Sequence, residues 1–333
     1  MTKIDIFSGF LGAGKTTLIK KLIKEAYAGE KVVLIENEFG EIGIDGGFLA
    51  DAGIEITEMN SGCICCSLVG DFSKALVKVL EEYNPDRVII EPSGVGKLSD
   101  VIKAAKTAED AGAKLNCFTT VADVNKVRMY MKNFGEFYND QIANASCIVL
   151  SHTQSAKPGR VEESVALLRE HNAAATVVTT PWDELDGKDI LAAMEKKDTL
   201  EDAIKALEQE HHHHHCHEHE HHHEHEHGEE CSCGCGGHHH HADEVFNSFG
   251  TETTKKFSEA GIREALEAFS EDDCYGMVLR AKGIVESDDG RWIHFDYIPG
   301  EADVRYGGAG IIGRLCVIGA NIDNEKIKEL FGI

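Results

Sequence analysis

A glycine-rich loop near the amino terminus constrains this chain more than any other stretch. Residues 9–16 read Gly-Phe-Leu-Gly-Ala-Gly-Lys-Thr and match the pattern G-x-x-x-x-G-K-[ST]. Lys3–Phe7 before the loop alternates like a β-strand, and Leu18–Ile23 after it carries apolar residues at helical spacing. Because a strand, a glycine turn and a helix start surround the pattern, we interpret it as a phosphate-binding loop for a nucleoside triphosphate.

The residues of this loop and of a later strand end have separate predicted roles. Backbone N–H groups would close around the β- and γ-phosphates, and the helix N-terminus would add a favourable dipole. Lys15 would neutralise phosphate charge, while the Thr16 hydroxyl and Glu91, which closes an apolar strand, would hold Mg²⁺. The N–H of Gly94 would meet the γ-phosphate and report its loss. The predicted phosphate-binding residues are Gly9, Gly12, Ala13, Gly14, Lys15, Thr16, Thr17 and Gly94.

Length, charge and cysteine content narrow the class of protein. The 333 residues suggest about two domains. There is no run of about 18 apolar residues and no room for a signal peptide before the first strand, so we expect a cytoplasmic protein without a membrane partner. The net charge of −25 argues against nucleic acid, because phosphate backbones need a basic footprint. Eleven cysteines in such a compartment favour metal ligation or buried thiols over disulfides.

Alternating strand-like and helix-like segments in residues 1–200 predict an α/β fold, a P-loop NTPase domain with a mostly parallel, doubly wound sheet. Short β-branched runs predict strands at 31–35, 87–90, 117–121, 147–150 and 176–178, and helical patterns cover 71–83 and 161–171. Residues 205–244 cannot build an apolar core and are predicted to be a disordered, metal-binding linker. Residues 245–333 predict a smaller C-terminal α+β domain, with strands at 276–285, 292–298 and 315–318, helices at 258–269 and 324–331, and Trp292 in its core.

Three thiols in four residues form the second candidate site. Cys63, Cys65 and Cys66 are flanked by glycine, and thiolates suit Zn²⁺ or another borderline divalent ion in a tetrahedral site. The spacing supplies at most three ligands, which indicates an open, exchangeable site whose missing ligand is Glu36 or Glu41. A redox thiol pair and inert buried cysteines remain as alternatives.

Together these motifs resemble the CobW-type metallochaperone GTPases, whose close relatives assist nickel insertion into urease and hydrogenase. The resemblance rests on the segments 9–17, 36–40, 62–66 and 91–94, on a histidine-rich insertion, and on 280–283, Trp292 and 314–319. It implies a GTPase domain followed by a small C-terminal domain, a transferable metal on the cysteines, and hydrolysis that drives delivery to a client metalloprotein. Zn²⁺ is the expected metal, with Co²⁺ or Ni²⁺ as alternatives, and a homodimer is among the oligomeric states left open.

One position departs from the family pattern. The family reads guanine with an Asn/Thr-Lys-x-Asp motif after the strand at 147–150, and here Ser151, His152 and Gln154 occupy that place. A Gln amide presents one acceptor oxygen where an Asp carboxylate accepts two hydrogen bonds from guanine. Since intact pairing of this kind discriminates by roughly 10⁴–10⁵, we predict weakened selectivity for GTP over other nucleoside triphosphates.

The segment 211–241 holds sixteen of the nineteen histidines and four cysteines. Imidazoles and carboxylates in such a chain form many weak, interchangeable sites, which predicts a metal buffer or loading antenna; a plain solvated linker is the alternative. The predicted accessory ligands are His211, His212, His213, His214, His215, Cys216, Cys231, Cys233, Cys235, His238, His239, His240 and His241.

The favoured function is therefore a slow, nucleotide-dependent metallochaperone. The alternatives are a metal store or sensor in which nucleotide only stabilises the fold, and a nucleoside triphosphatase of a cobalt or corrinoid system.

Overall fold

The computed structural model describes residues 1–36, 55–58, 69–197, 199–200, 203–204, 245–310 and 312–333. They form two sheets, a parallel one in an N-terminal domain and an antiparallel one in a C-terminal domain.

The N-terminal domain is built on a seven-stranded sheet. Its strands are β1 (Thr2–Gly9), β2 (Val32–Glu36), β3 (Glu55–Glu58), β4 (Arg87–Glu91), β5 (Ala113–Asp123), β6 (Cys147–Ser151) and β7 (Thr176–Val178). Each pairing is parallel, and the order β3-β2-β4-β1-β5-β6-β7 places β1 in the middle. The chain crosses from one side of β1 to the other between β4 and β5, so the sheet is doubly wound, which confirms the predicted fold class.

Helices cover both faces of this sheet. They are α1 (Lys15–Glu25), α2 (Val69–Tyr83), α3 (Leu98–Lys106), α4 (Val127–Ala143), α5 (Arg160–His171) and α6 (Gly187–Met194). Helices α1 and α6 pack against one face around Leu18, Leu22 and Ile190, and α2 to α5 cover the other. Burial on both faces explains why the strands read as continuous apolar runs. None of the described helices combines the length and the apolar character needed to cross a bilayer.

A buried ion-pair network is centred on Arg87 at the amino end of β4, away from the carboxyl ends of the strands. The guanidinium of Arg87 is 0% exposed and pairs with Asp5, with Glu30 at 2.6 Å and with Glu195 at 3.3 Å. Burial opposes the charge of Arg87, but hydrogen bonds to Glu30 and the carboxylate of Asp5 outweigh it and raise the pKa of Arg87. Asn116 donates hydrogen bonds to Asp5 at 2.7 Å and Glu195 at 2.9 Å. These contacts tie β1, β4, β5 and the end of α6 together, so the role of the network is structural.

The C-terminal domain is a five-stranded antiparallel sheet with two helices on one face. Its elements are β8 (Phe246–Thr253), α7 (Glu259–Glu271), β9 (Met277–Glu286), β10 (Trp292–Ile298), β11 (Glu301–Gly307), β12 (Gly313–Ala320) and α8 (Asn324–Phe331). The order is β11-β10-β9-β12-β8. The side chains of Ile262, Leu266 and Phe331 on the two helices meet the inner face of the sheet.

The opposite face of this sheet packs on the N-terminal domain. The Phe246 ring lies 6.1 Å from Phe10, 5.4 Å from Phe134 and 5.1 Å from Phe137, measured between ring centroids. Trp292 is half-buried against this interface cluster. Its predicted place in the core of the C-terminal domain is therefore wrong, because its position on β10 puts it on the face turned away from α7 and α8.

The strands and helices predicted in both domains are confirmed, with ends that differ by a few residues. Three strands were not predicted, β3, β8 and β11. Strand β11 is an edge strand in which Val304 is the one buried residue, so it lacks an apolar pattern to detect.

Candidate functional site

The glycine-rich loop lies where β1 ends and α1 begins, as its sequence context predicts. A Cβ placed on Gly9 would lie 2.3 Å from the carbonyl oxygen of Val121 on β5, so this close approach of two backbones requires glycine. Gly14 adopts a left-handed conformation with φ 98° and caps α1. The Lys15 ammonium is buried and donates to the carbonyl oxygens of Gly9 at 2.9 Å and Phe10 at 3.4 Å. The lysine thus lies over a loop that ends in a helix N-terminus, the arrangement that binds phosphate.

The end of β4 meets the start of α1 beside this loop. The Thr16 hydroxyl donates to Glu91, with its oxygen 3.1 Å and 3.3 Å from the two carboxylate oxygens. A hydroxyl and a carboxylate that converge next to a phosphate-binding loop fit the ligand preferences of Mg²⁺. Gly94 follows, and a Cβ on it would lie 2.9 Å from the backbone nitrogen of Leu11 in the loop. The structure therefore brings Thr16, Glu91 and Gly94 to the loop, although the role of each is a prediction.

Glu36, a predicted metal ligand, ends β2 directly beside Glu91. The two residues are Cα partners across β2 and β4, and the partner of Glu36 on its other side is Glu58, the last residue of β3. Glu36 is only 8% exposed. Three glutamates at the carboxyl ends of the neighbouring strands β3, β2 and β4 therefore lie at the same edge of the sheet as the glycine-rich loop.

The remaining predicted metal ligands lie outside the described residues. This holds for Glu41, for Cys63, Cys65 and Cys66, and for all predicted ligands between His211 and His241. Within the described part of the chain, no group of three or more His, Cys, Asp or Glu side chains is arranged to hold a metal ion. Cys117 and Cys147 are buried in β5 and β6, and burial raises the pKa of both thiols, to about 12 for Cys147.

The predicted base-recognition residues follow β6. His152 is left-handed, with φ 59°, and Gln154 is exposed in the helical turn Thr153–Ser155. The hydroxyls of Ser151 and Thr153 are buried, and neither has a hydrogen-bond partner among the described residues. Both therefore retain unused hydrogen-bonding capacity at this turn.

Trp182 is a site residue that the sequence did not reveal. Its indole N–H donates to the carbonyl oxygen of Leu150 at 2.9 Å, and its ring lies 3.2 Å from a Cβ placed on Gly14. The side chain thus spans the gap between the glycine-rich loop and the turn after β6. The available signal was its place four residues after β7, at the carboxyl edge of the sheet.

The C-terminal domain forms the second wall of the site. A cleft of about 780 Å³ lies over the loop and is lined by residues of both domains. From the loop, α1 and β4 come Gly12, Gly14, Lys15, Thr16, Thr17, Lys20 and Glu91. From β9 to β11 come mainly charged side chains, Arg280, Lys282, Asp296, Glu301, Asp303 and Arg305. Sequence reasoning assigned no role to these C-terminal residues.

The loop between β1 and α1, the Thr16–Glu91 pair and the doubly wound sheet define a P-loop NTPase. Residues 3–179 match the family described as CobW/HypB/UreG, nucleotide-binding domain, and residues 246–332 match the cobalamin synthesis protein cobW C-terminal domain. Because the first match alone covers more than half of the 333 residues, the chain belongs to the CobW family, as its motifs indicated.

Named relatives point in the same direction. The chain is 34% identical over 161 residues to the zinc chaperone YeiR of Escherichia coli (strain K12), covering 47% of this chain and 48% of that relative. It is 31% identical over 190 residues to the zinc chaperone YjiA of the same strain, with 55% and 58% covered. With the zinc-regulated GTPase metalloprotein activator 1 of Schizosaccharomyces pombe it shares 26% over 192 residues, with 55% and 46% covered. The chain thus spans about half the length of the curated relatives it matches.

Proposed function

We propose that this chain is a GTP-hydrolysing metallochaperone that binds Zn²⁺ through Cys63, Cys65 and Cys66 and delivers it to a client metalloprotein. Family membership and the names of the relatives, two zinc chaperones and a zinc-regulated GTPase, support this function. The proposed organisation is a nucleotide-binding domain over 1–200, a metal-binding linker over 205–244 and a C-terminal domain over 245–333.

The pairing of Glu36 with Glu91 carries the proposal. Glu91 accepts a hydrogen bond from Thr16, so it belongs to the nucleotide site, and Glu36 is its Cα partner on β2. The segment with the three cysteines begins directly after β3, whose last residue is the other Cα partner of Glu36. A metal ligand at Glu36 would therefore lie next to a residue that we propose holds the Mg²⁺ of the nucleotide. Such adjacency supplies the differential contact that coupling between two sites requires.

The residues of the site have separate proposed tasks in this function. Lys15 and the backbone of residues 12–17 hold the phosphates, and Thr16 and Glu91 would hold Mg²⁺, which neutralises charge on the phosphates when bound. Gly94 lies against the loop at Leu11, where loss of the γ-phosphate alters its surroundings. Glu36, with Glu41 as the alternative or further ligand, would complete the thiolate site of the cargo ion.

Zinc affinity measured against nucleotide state tests the proposal. We would titrate Zn²⁺ against a competing chelator with a non-hydrolysable GTP analogue, with GDP, and without nucleotide. Two forms of the full chain are compared, one native and one with residues 211–241 replaced by a Gly/Ser linker. We expect the tight site to change affinity about 5- to 150-fold between analogue and GDP, the usual range of allosteric coupling. Equal affinity in all three states would refute delivery driven by hydrolysis.

The variants Cys65→Ser and Cys66→Ser separate this function from metal storage. They should abolish the nucleotide-dependent site and leave the weak sites of the histidine segment intact. If the nucleotide dependence survives both substitutions, the thiol site is not the coupled one. If weak binding at 211–241 is the entire metal response of the native chain, the protein is a store or sensor.

The natural residue Gln154 at the base-recognition turn bears on which nucleotide is hydrolysed. We propose weakened guanine selectivity, because Gln154 replaces the expected carboxylate. Competition between GTP and ATP, in the native chain and in Gln154→Asp, tests this point. The substituted chain should gain selectivity for GTP; a strong preference for GTP already present in the native chain would contradict the proposal.

A further inference from the structure

The face of the C-terminal sheet that is turned towards the nucleotide cleft carries basic side chains. Arg280 and Lys282 alternate with apolar residues along β9, and their register partners on β12 are Ile318 and Cys316. Both of these partners belong to the apolar cluster shared with the N-terminal domain. Since neighbours in register point to the same side of a sheet, Arg280 and Lys282 face the N-terminal domain.

A close contact places this face directly over the phosphate-binding loop. Ile298, at the end of β10, has its Cγ2 atom 2.3 Å from the position a Cβ would take on Gly12. Ile298 is only 9% exposed, so the loop and the end of β10 exclude water between them. The basic residues of β9 therefore line the same cleft as Lys15 and Thr16.

The basic groups in the cleft are arranged in two layers, and the C-terminal wall also carries Asp296, Glu301 and Asp303. Lys15 and Lys20 contribute positive charge from the loop and α1. On the opposite wall, Arg280 donates to Asp296 at 3.3 Å, while Lys282 sits across from Asp296 in the β9–β10 register. Lys282 is 9% exposed and lines the cleft, so its ammonium is partly dehydrated at the wall that faces the loop. A polyphosphate in the loop would lie between the two layers.

We propose that Lys282, assisted by Arg280, binds the phosphate end of the nucleotide from the C-terminal domain, so that the triphosphate is held between the two domains. This inference rests on the proposed function only for nucleotide binding. A partly dehydrated ammonium or guanidinium forms a strong hydrogen bond to a phosphate oxygen. The γ-phosphate adds charge that GDP lacks, so the two domains are held together more firmly before hydrolysis than after it. The contact between the C-terminal domain and the nucleotide site then depends on whether GTP or GDP is bound.

Neutralising the basic residues tests this role. The variants are Lys282→Gln and Arg280→Gln, with Lys256→Gln as the matched control, because Lys256 is half-exposed in the same domain and pairs with Glu286 away from the cleft. Dissociation constants for a non-hydrolysable GTP analogue and for GDP are measured by calorimetry on the full chain. We expect Lys282→Gln to weaken the analogue about 10- to 100-fold and GDP less, with a smaller loss for Arg280→Gln. The variant Lys282→Arg should recover most of the affinity, and the control should bind as the native chain does.

The outcomes separate this inference from the proposed function. If Lys15→Ala abolishes nucleotide binding while Lys282→Gln and Arg280→Gln bind the analogue like the native chain, the inference is wrong and the proposed function stands. If Lys282→Gln weakens the analogue but zinc affinity never depends on nucleotide, the inference stands and the proposed function fails. If circular dichroism shows that Lys282→Gln does not fold, the inference is tested with Arg280→Gln alone. The ratio of its affinities for the analogue and for GDP is then compared with the same ratio in the native chain.

Discussion

Substituting Gly12 by alanine probes the contact that joins the two domains at the nucleotide site. Gly12 has φ 71°, where a non-glycine residue costs about 1–2 kcal/mol. The added methyl group would also lie 2.3 Å from Cγ2 and 3.0 Å from Cδ1 of Ile298. Overpacking of this kind costs about 1–3 kcal/mol, because a branched side chain cannot turn away without moving the strand end. We therefore expect Gly12→Ala to destabilise the chain by about 2–5 kcal/mol in total.

A double-mutant cycle isolates the interdomain part of this cost. In the Ile298→Ala background the two closest atoms are gone and the remaining Cβ lies at 3.3 Å, a contact that a small shift relieves. Gly12→Ala should then cost little more than the backbone strain of about 1–2 kcal/mol. Gly29→Ala is the matched control, since Gly29 has φ 88° and nothing within 4 Å of its Cβ position. Its cost should equal that of Gly12→Ala in the Ile298→Ala background.

Urea unfolding followed by tryptophan fluorescence provides the measurement. The chain has two tryptophans, and Trp182 lies in the N-terminal domain while Trp292 lies in the C-terminal domain, so each domain has its own probe. A Gly12→Ala cost that is unchanged by Ile298→Ala would show that the end of β10 does not rest on the loop. The two-sided cleft, and the role proposed for Lys282, would then lose their geometric basis.

Three further outcomes are expected. In the Trp292→Phe variant, Trp182 is the remaining tryptophan, and its fluorescence emission should change when a GTP analogue with Mg²⁺ binds, because the Trp182 ring packs beside Gly14. An unchanged spectrum with confirmed binding would contradict that packing. Burial of Glu195 opposes its charge, but hydrogen bonds from Asn116 and Lys3 and the charge of Arg87 outweigh burial and lower the pKa of Glu195 below the usual 4.5. The ionised carboxylate therefore stabilises the fold above pH 4.5, and this stabilisation is lost as the pH falls below that value. The free energy of unfolding of Glu195→Gln should accordingly fall less steeply below pH 4.5 than that of the native chain, and parallel curves would exclude the effect. Cys117 and Cys147, whose burial raises their thiol pKa values, should resist thiol reagents until the chain unfolds, whereas the partly exposed Cys274 should react sooner; peptide mapping after labelling distinguishes the two groups.

Local patterns were sufficient for the central elements of the fold. The β-branched runs at 87–90 and 147–150 are recognisable as strands because a parallel sheet buries both faces of its inner strands, which leaves an unbroken apolar run in the sequence. The glycine-rich loop was identified for the same local reason, since its turn, lysine and threonine are contiguous. Strand β11 escaped prediction because an edge strand with one buried residue has no periodicity to read.

The amino-acid sequence by itself determined which chemical groups are present and the local elements that carry them: a phosphate-binding loop, glutamates at strand ends, a cluster of thiols and a histidine-rich segment. Only the tertiary structure decided which of these groups meet. Glu36 and Glu91 are neighbours only because β2 pairs with β4 in the sheet. Gly12 and Ile298 are in contact although nearly 290 positions separate them in the sequence. Such contacts arise from the packing of whole sheets and helices, which no short window of sequence encodes.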